Sequence, residues 1–374
     1  MTRYFDHNAT TPLSDAAREA WLRASDAHWQ NPSSLYREAG AVRRKLEEAR
    51  ERLAELLGCE PERIVFTSGA TESNNALFAF FKDKLAADAH VLSSAIEHPS
   101  VREPLMKCFG GRVVLARPQM SRDFDLDDFG KQIAEKNAGL ITAMAANNEC
   151  GLLHPWREIA EMCRERGVPF HTDAAQWIGK MPVNELGGCD YVSGCAHKFG
   201  GPKGVGFLVM RDEREALSFL RGGPQEEGRR AGTENYPGVE AMVTALEVLG
   251  PRLPMVADQQ SRLRDDFEKR MSAWFPVLRV IGEGAARLWN TSMFVLPRGD
   301  NRKWLARLSA RDFAVSTGSA CSAGHDGSSV VLAALGASAD EMRRVIRVSG
   351  GWDSSSEEWQ ALALAFAEVG AEMN

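Results

Sequence analysis

Short apolar runs alternate with helical stretches along roughly the first 250 residues, and few architectures accept that order. The runs are Arg63-Ile64-Val65-Phe66-Thr67, His90-Val91-Leu92, Arg112-Val113-Val114-Leu115, Leu140-Ile141-Thr142-Ala143-Met144, Val168-Pro169-Phe170 and Gly206-Phe207-Leu208-Val209-Met210. Between several of them lie helical stretches such as Trp156 to Arg166. Ahead of them, Val42, Leu46, Ala49, Leu53 and Leu57 recur at helical spacing until Gly58 stops the run, and the intervening arginines and glutamates read as a solvated face. Strands alternating with helices predict a mostly parallel sheet covered on both faces. Beyond residue 250 the pattern changes to a long amphipathic stretch with Leu263 and Phe267, then strand-like Val277 to Ile281 and Ser292 to Leu296. With 374 residues to place, the expectation is an α/β chain of two domains. A large, mostly parallel-sheet domain spans 13–250, and a smaller α+β domain combines 1–12 with 251–374.

In open α/β sheets ligands bind at the carboxyl ends of the strands, so the residues that follow each run matter most. After Asp190-Tyr191-Val192 comes Ser193-Gly194-Cys195-Ala196-His197-Lys198-Phe199-Gly200-Gly201-Pro202-Lys203-Gly204. Taken alone, Lys198 reads as a surface lysine. At a strand end among small residues it can instead project its amine into a pocket as a nucleophile. The run at 168–170 continues into His171-Thr172-Asp173-Ala174-Ala175-Gln176, which delivers Asp173 to the same edge. An amine and a carboxylate there are the pair that pyridoxal phosphate requires: one holds the aldehyde, the other keeps the pyridine nitrogen protonated. The strand at 63–67 feeds into Ser68-Gly69-Ala70-Thr71-Glu72-Ser73. Small residues before a helix form an anion cup from free N–H groups, although Thr71 or Ser68 as a plain N-cap reads equally well by itself.

These motifs closely resemble those of the cysteine desulfurases, pyridoxal-phosphate enzymes of the fold-type-I, class V aminotransferase group. The match lies in Ser-Gly-x-x-His-Lys-x-x-Gly-Pro-Lys-Gly at 193–204, Asp-Ala-x-Gln at 173–176, Ser-Gly-Ala-Thr-Glu-Ser at 68–73 and the opening Asp6-His7-Asn8-Ala9-Thr10-Thr11-Pro12. The resemblance spans almost the whole chain. It implies pyridoxal 5'-phosphate held by Ala70, Thr71, His98, Asn148, Asp173, Gln176, Cys195, His197 and Lys198, with Thr233 reaching the phosphate of a neighbouring subunit. Lys198, Asp173, His98 and Cys321 are the implied catalytic residues. His98, which precedes Pro99 and by itself reads as a loop residue, takes the place of the histidine that stacks on the cofactor ring. Gln176 takes that of the glutamine bonded to the phenolic oxygen. Asn148, in Asn147-Asn148-Glu149-Cys150-Gly151, contacts cofactor or substrate.

Arg347, within the apolar run Val345-Ile346-Arg347-Val348-Ser349, needs an anion if buried. The resemblance makes that anion the substrate carboxylate, and a structural salt bridge is the alternative. Cys321 sits in Ser319-Ala320-Cys321-Ser322-Ala323-Gly324, too polar and small to be core, where an exposed thiol is a liability or a nucleophile. By resemblance it accepts sulfur from L-cysteine as a persulfide, leaves alanine, and passes the sulfur to an acceptor protein such as an iron–sulfur scaffold. A homodimer with shared active sites follows from Thr233. Selenocysteine lyase, class V aminotransferase and a weakly catalytic sulfur-transfer scaffold are the rival readings. Two departures stand out: Cys195 replaces a serine phosphate ligand with a weaker donor, and Gly350-Gly351-Trp352 lacks a basic residue common in the family.

Charge and cysteine usage narrow the classes further. A net charge of −6 argues against nucleic acid or an anionic membrane as the main partner. Seven scattered cysteines, none at Cys-x-x-Cys spacing, argue against a disulfide framework and a metal site. Cys59, Cys108, Cys163 and Cys189 are expected to be buried and inert. No apolar run reaches membrane-span length and the N-terminus lacks a signal-peptide core, so a cytoplasmic location is expected.

Overall fold

Seven strands build the central sheet: β1 (Ile64–Thr67), β2 (His90–Ser94), β3 (Val113–Ala116), β4 (Ala138–Thr142), β5 (Phe170–Asp173), β6 (Tyr191–Cys195) and β7 (Gly206–Val209). They lie in the order β1-β7-β6-β5-β4-β2-β3. β7 runs antiparallel to both its neighbours, and the other pairs are parallel. The computed structural model describes residues 2–116, 126–212, 215, 217–318 and 329–373. Both faces of the sheet are covered. On one, Phe66, Ile141, Val192 and Phe207 pack with Leu46, Leu53 and Leu57 of the helix Arg37–Leu57. On the other, Val65, Val91 and Leu140 pack with Leu77 and Phe81 of the helix Ala70–Lys84 and Leu105 of Pro99–Phe109. Near-continuous burial along β1, β5, β6 and β7 is what such a doubly covered sheet requires.

The helix at 37–57 ends where the pattern stops, with Gly58 in the left-handed region at φ 73°. One expectation fails here. Arg50 does not belong to a solvated face: it is 6% exposed and donates to the Ile64 carbonyl and to Glu226 at 2.8 and 2.9 Å. Glu226 in turn accepts from the Phe66 N–H at 2.9 Å. The glycine-rich segment around 222–235 is thereby tied to β1, because two opposite charges removed from water must find each other.

A second core gathers Phe267, Met271, Phe294, Trp304, Ile346, Trp359 and Phe366. It surrounds a three-stranded antiparallel sheet of Arg279–Val280, Thr291–Val295 and Val345–Ser349. The N-terminal segment joins this core. Arg3–Tyr4 pairs in parallel with Phe313–Ala314, and Phe5 is buried in the second core. Cys163 and Cys189 are buried as expected, whereas Cys59 and Cys108 are only half-buried, each lying near a helix or turn terminus. Among the described residues no helix is long and apolar enough to cross a membrane.

Candidate active site

A cavity of about 510 Å³ opens at the carboxyl ends of β1, β5 and β6, and it collects residues that are far apart in sequence. Ala70, Thr71, His98, Asn148, Asp173, Gln176, Cys195, His197 and Lys198 all line it. Lys198 closes a single turn of 3₁₀ helix directly after β6, which swings its amine toward the cavity. Its Nζ donates to the Asn8 and Ala9 carbonyls at 2.6 and 2.8 Å, and among the described residues no carboxylate pairs with it. Burial pulls its pKa below the ordinary lysine value, the Cys195 thiol opposing and Arg347 reinforcing the shift. Asp173 is buried at the end of β5, where Asn74 Nδ2 and the Ala175 N–H donate to its two oxygens at 2.9 Å each.

The helix Ala70–Lys84 begins at Gly69, which has no side chain to cap it. The capping alternative therefore does not form, and the first turn meets the cavity through Gly69, Ala70 and Thr71. Close approach is built in: a Cβ on Gly206 of β7 would stand 2.5 Å from the Gly69 Cα. The buried Cys195 thiol is pushed up to about 11 by burial. His98 caps the helix Pro99–Phe109, its Nδ1 accepting from the Ser100 N–H at 3.1 Å, and burial lowers its pKa. His197 shares a hydrogen bond with Thr10 Oγ1 at 3.1 Å and is lowered to about 4 by burial and by Lys198. Beside His98, buried Glu97 accepts from the Met144 N–H at 2.6 Å; burial and then Asp173 raise its pKa to about 8.

A smaller cavity of about 120 Å³ adjoins the first, sharing Ala9, His98, Asn148 and Lys198 with it and adding Arg347. Arg347 is 2% exposed and held by Asp6 Oδ1 at 2.6 Å and by the Asn148 and Gly318 carbonyls at 2.9 and 2.6 Å. Both sequence readings thus have a foothold, since the salt bridge exists and yet Arg347 Nε and Asn148 Oδ1 are buried without a hydrogen-bond partner. Thr233 is exposed and lines a neighbouring cavity of about 170 Å³, which touches the main one through Ser68 and Gly204. Cys321 lies outside the described residues, between Gly318 and Ser329.

Several contributors carried little signal in sequence. Asn8 accepts from Lys198 through its carbonyl, Asn74 and Ser100 form a polar chain to Asp173, and Lys180 is buried behind Gln176. The Asp6 to Thr11 stretch was recognisable as a polar turn, but no local pattern marks Lys180.

The donor set suits one cofactor. An amine of depressed basicity, a positioned carboxylate and an uncapped helix start answer an aldehyde, a pyridine nitrogen and a phosphate, and the orphan Asn148 Oδ1 marks unfilled polar capacity in the same place. Fold and cavity together define a pyridoxal-phosphate enzyme of fold type I. The aminotransferase class-V profile matches residues 3–362, and the chain belongs to that family, on its cysteine desulfurase branch. Cysteine desulfurase IscS of Dictyoglomus turgidum is 34% identical over 360 residues, covering 95% of this chain and 91% of that protein. A cysteine desulfurase of Nostoc sp. is 34% identical over 349 residues, 92% of this chain and 87% of its own. Among solved structures, a NifS-like protein superposes with a TM-score of 0.89 at 28% identity, covering both chains fully. SspA in complex with cysteine superposes with a TM-score of 0.79 at 32% identity, over 93% of this chain and 98% of that one.

Proposed function

We propose that the protein is a pyridoxal-phosphate-dependent cysteine desulfurase that converts L-cysteine to L-alanine and carries the sulfur as a persulfide on Cys321. The observation that carries this reading is the half-buried Lys198 amine sharing one cavity with the buried Asp173 at adjacent strand ends. Pyridoxal phosphate, when bound, supplies an electron sink for the α-carbon of an amino acid. Lys198 would hold the cofactor through its aldehyde and would move the α-proton of the substrate; the lowering of its pKa by burial favours the uncharged amine that both roles need. Asp173, fixed in one rotamer by Asn74 and Ala175, keeps the pyridine nitrogen protonated. Ala70 and Thr71 receive the phosphate at the helix start, with Cys195 and His197 beside them, and Gln176 meets the phenolic oxygen. Arg347 binds the substrate carboxylate through its unpartnered Nε, one cavity away from Lys198, with Asn148 between.

Cys321 thiolate attacks the substrate sulfur. The new bond is S–S, the Cβ–S bond breaks with its electron pair going to the β-carbon, and protonation there gives alanine. Cysteine plus the Cys321 thiol thus balance alanine plus the persulfide, with no outside oxidant. The persulfide passes to an acceptor protein, for which an iron–sulfur scaffold is the natural class. The names of the relatives favour this reading over selenocysteine lyase, aminotransferase or scaffold. Residues 13–250 form the cofactor-binding unit in this reading, and 1–12 with 251–374 the unit that presents Cys321. Thr233 completes the phosphate site of a second copy in a cytoplasmic homodimer, consistent with its exposure outside the main cavity.

The test is to assay sulfide and alanine from L-cysteine with and without reductant. Equimolar products without added keto acid are expected, with one extra sulfur on Cys321 by mass spectrometry after brief exposure to cysteine. Cys321→Ser should retain cofactor but lose sulfur transfer by at least about a hundredfold, since a hydroxyl neither matches a thiolate as nucleophile nor carries a persulfide. Full activity in that variant, or sulfur on another cysteine, would refute the assignment.

A further inference from the structure

Behind Gln176, on the side away from any role assigned above, lies a second amine, and this one is buried. Lys180 is 2% exposed, and its Nζ donates to Gln176 Oε1 at 2.8 Å and reaches the Gln176 carbonyl at 3.5 Å. Among the described residues it has no carboxylate partner. A buried amine without a counter-charge costs stability that a methionine of similar length would not, so packing alone gives no reason for lysine here. Its backbone is held as firmly as its side chain. The Lys180 carbonyl accepts from Trp289 Nε1 at 2.7 Å and the Gly179 carbonyl from Trp352 Nε1 at 2.8 Å.

The amide of Gln176 is therefore bracketed. On one side Lys180 donates to its oxygen; on the other its nitrogen donates to the Asn8 carbonyl at 2.9 Å, the same carbonyl that accepts from Lys198. The Asn8 carbonyl only accepts, so the reversed amide would place oxygen against oxygen there, and wherever Lys180 is protonated it would also set N–H against N–H. The amide nitrogen has two hydrogens. Asn8 takes one, which leaves the other for the cavity that Gln176 lines.

We propose that Lys180 is a positioning residue of this site: by donating to Gln176 Oε1 it holds the amide with its N–H edge toward the cavity, so that Gln176 meets the cofactor's phenolic oxygen as a donor. The proposal rests on the cofactor reading above. A freely turning amide would offer that oxygen a donor or an acceptor indifferently, and an acceptor against a phenolate is repulsive. The position of Lys180 on the turn that carries Gln176, four residues on, makes the two side chains a single unit.

The test compares holoenzyme from wild type, Gln176→Ala, Lys180→Met and the double variant, reading the pH midpoint of the bound cofactor's visible absorbance and the dissociation constant for pyridoxal phosphate. Lys180→Met should move the midpoint in the same direction as Gln176→Ala and weaken binding by about tenfold. The double variant should go no further than Gln176→Ala alone, because Lys180 acts only through that amide. Wild-type values in Lys180→Met, or effects that add in the double variant, would overturn the proposal. A wild-type protein that takes up no pyridoxal phosphate removes the cofactor reading and this proposal with it, whereas uptake by wild type with Gln176→Ala unchanged removes this proposal alone. If Lys180→Met does not fold, neutron diffraction of the wild-type holoenzyme decides: two deuterons on the atom facing Asn8 are expected, and the reversed amide refutes it.

Discussion

Lys180 is buried and Lys198 half-buried, and loss of water lowers the basicity of both, but their surroundings give them different work. Lys198 faces the cavity with only carbonyl oxygens to satisfy it, so its amine is free to bond a carbonyl carbon. Lys198→Ala should leave pyridoxal phosphate extractable after borohydride treatment, where wild type retains it covalently by mass spectrometry; a covalent adduct in the variant would mean that another amine, Lys180 or the cavity-lining Lys203, holds the aldehyde. Lys180 is lowered to about 7, first by desolvation and then by Lys198. Its folded pKa lies below the unfolded value near 10.5, so the unfolded chain binds more protons between the two. Stability then rises with pH across that window, and the cost of the buried charge is complete below about pH 7. Lys180→Met should therefore raise the melting temperature relative to wild type near pH 7, with the difference shrinking steadily toward pH 10. A difference that does not change over this range would place the Lys180 titration elsewhere.

At the level of elements, the site depends on strand ends that stop in register. Asp173 pairs with Ser193 across β5 and β6, which places the carboxylate beside the start of the turn that carries Lys198. The phosphate end depends on β1 and the helix after it, and the glycine-rich segment is fixed beside them by two ion pairs, one to that helix and one to the helix Arg37–Leu57. Arg230 binds Glu72 in the first helical turn at 2.9 Å, and Glu226 binds Arg50. Only the second pair is fully removed from water, its side chains 7% and 2% exposed. Arg50→Met should cost about 3–5 kcal/mol in denaturant unfolding, because it strands the Glu226 carboxylate in the core. Faster hydrogen exchange over residues 225–235 should accompany the loss, and protection unchanged from wild type would mean that Arg230 alone orders the segment.

Across the whole molecule, the N-terminal segment is the part that touches everything. Phe5 is buried in the second core, Asp6 pairs with Arg347, Asn8 and Ala9 hold Lys198 by their carbonyls, and the Thr11 hydroxyl accepts from the Gly200 N–H at 2.9 Å. Asn8 also bonds Thr291 of the three-stranded sheet and the neighbouring Asn290, at 2.9 and 3.1 Å. A variant lacking residues 2–9 should bind pyridoxal phosphate at least about tenfold more weakly, since Lys198 loses both acceptors and Gln176 one of its two anchors. Unchanged affinity by fluorescence titration would show that the segment is a structural tether only.

The amino-acid sequence determined what depends on neighbours along the chain. Strand, turn and helix start are short-range events, so the ends of β1, β5 and β6, the Gly58 stop and the residues Lys198, Asp173, Ala70 and Thr71 could be read from local pattern, and the resemblance added His98, Asn148, Gln176 and Arg347. All of them except Arg347 meet in one cavity, with Arg347 in the next. What only the tertiary structure decided is the fate of charges whose partners are distant in sequence. Arg50 looks like any arginine on a charged helix, and its partner lies 176 residues away. Arg347 meets Asp6 at a separation of 341, and the turn that carries the buried Lys180 is held by tryptophans at 289 and 352. Burial of a polar group is a property of the packed chain, set by which elements close over it. A lysine in a Gly-Lys-Met turn therefore carries no mark of its role until the fold has removed its water.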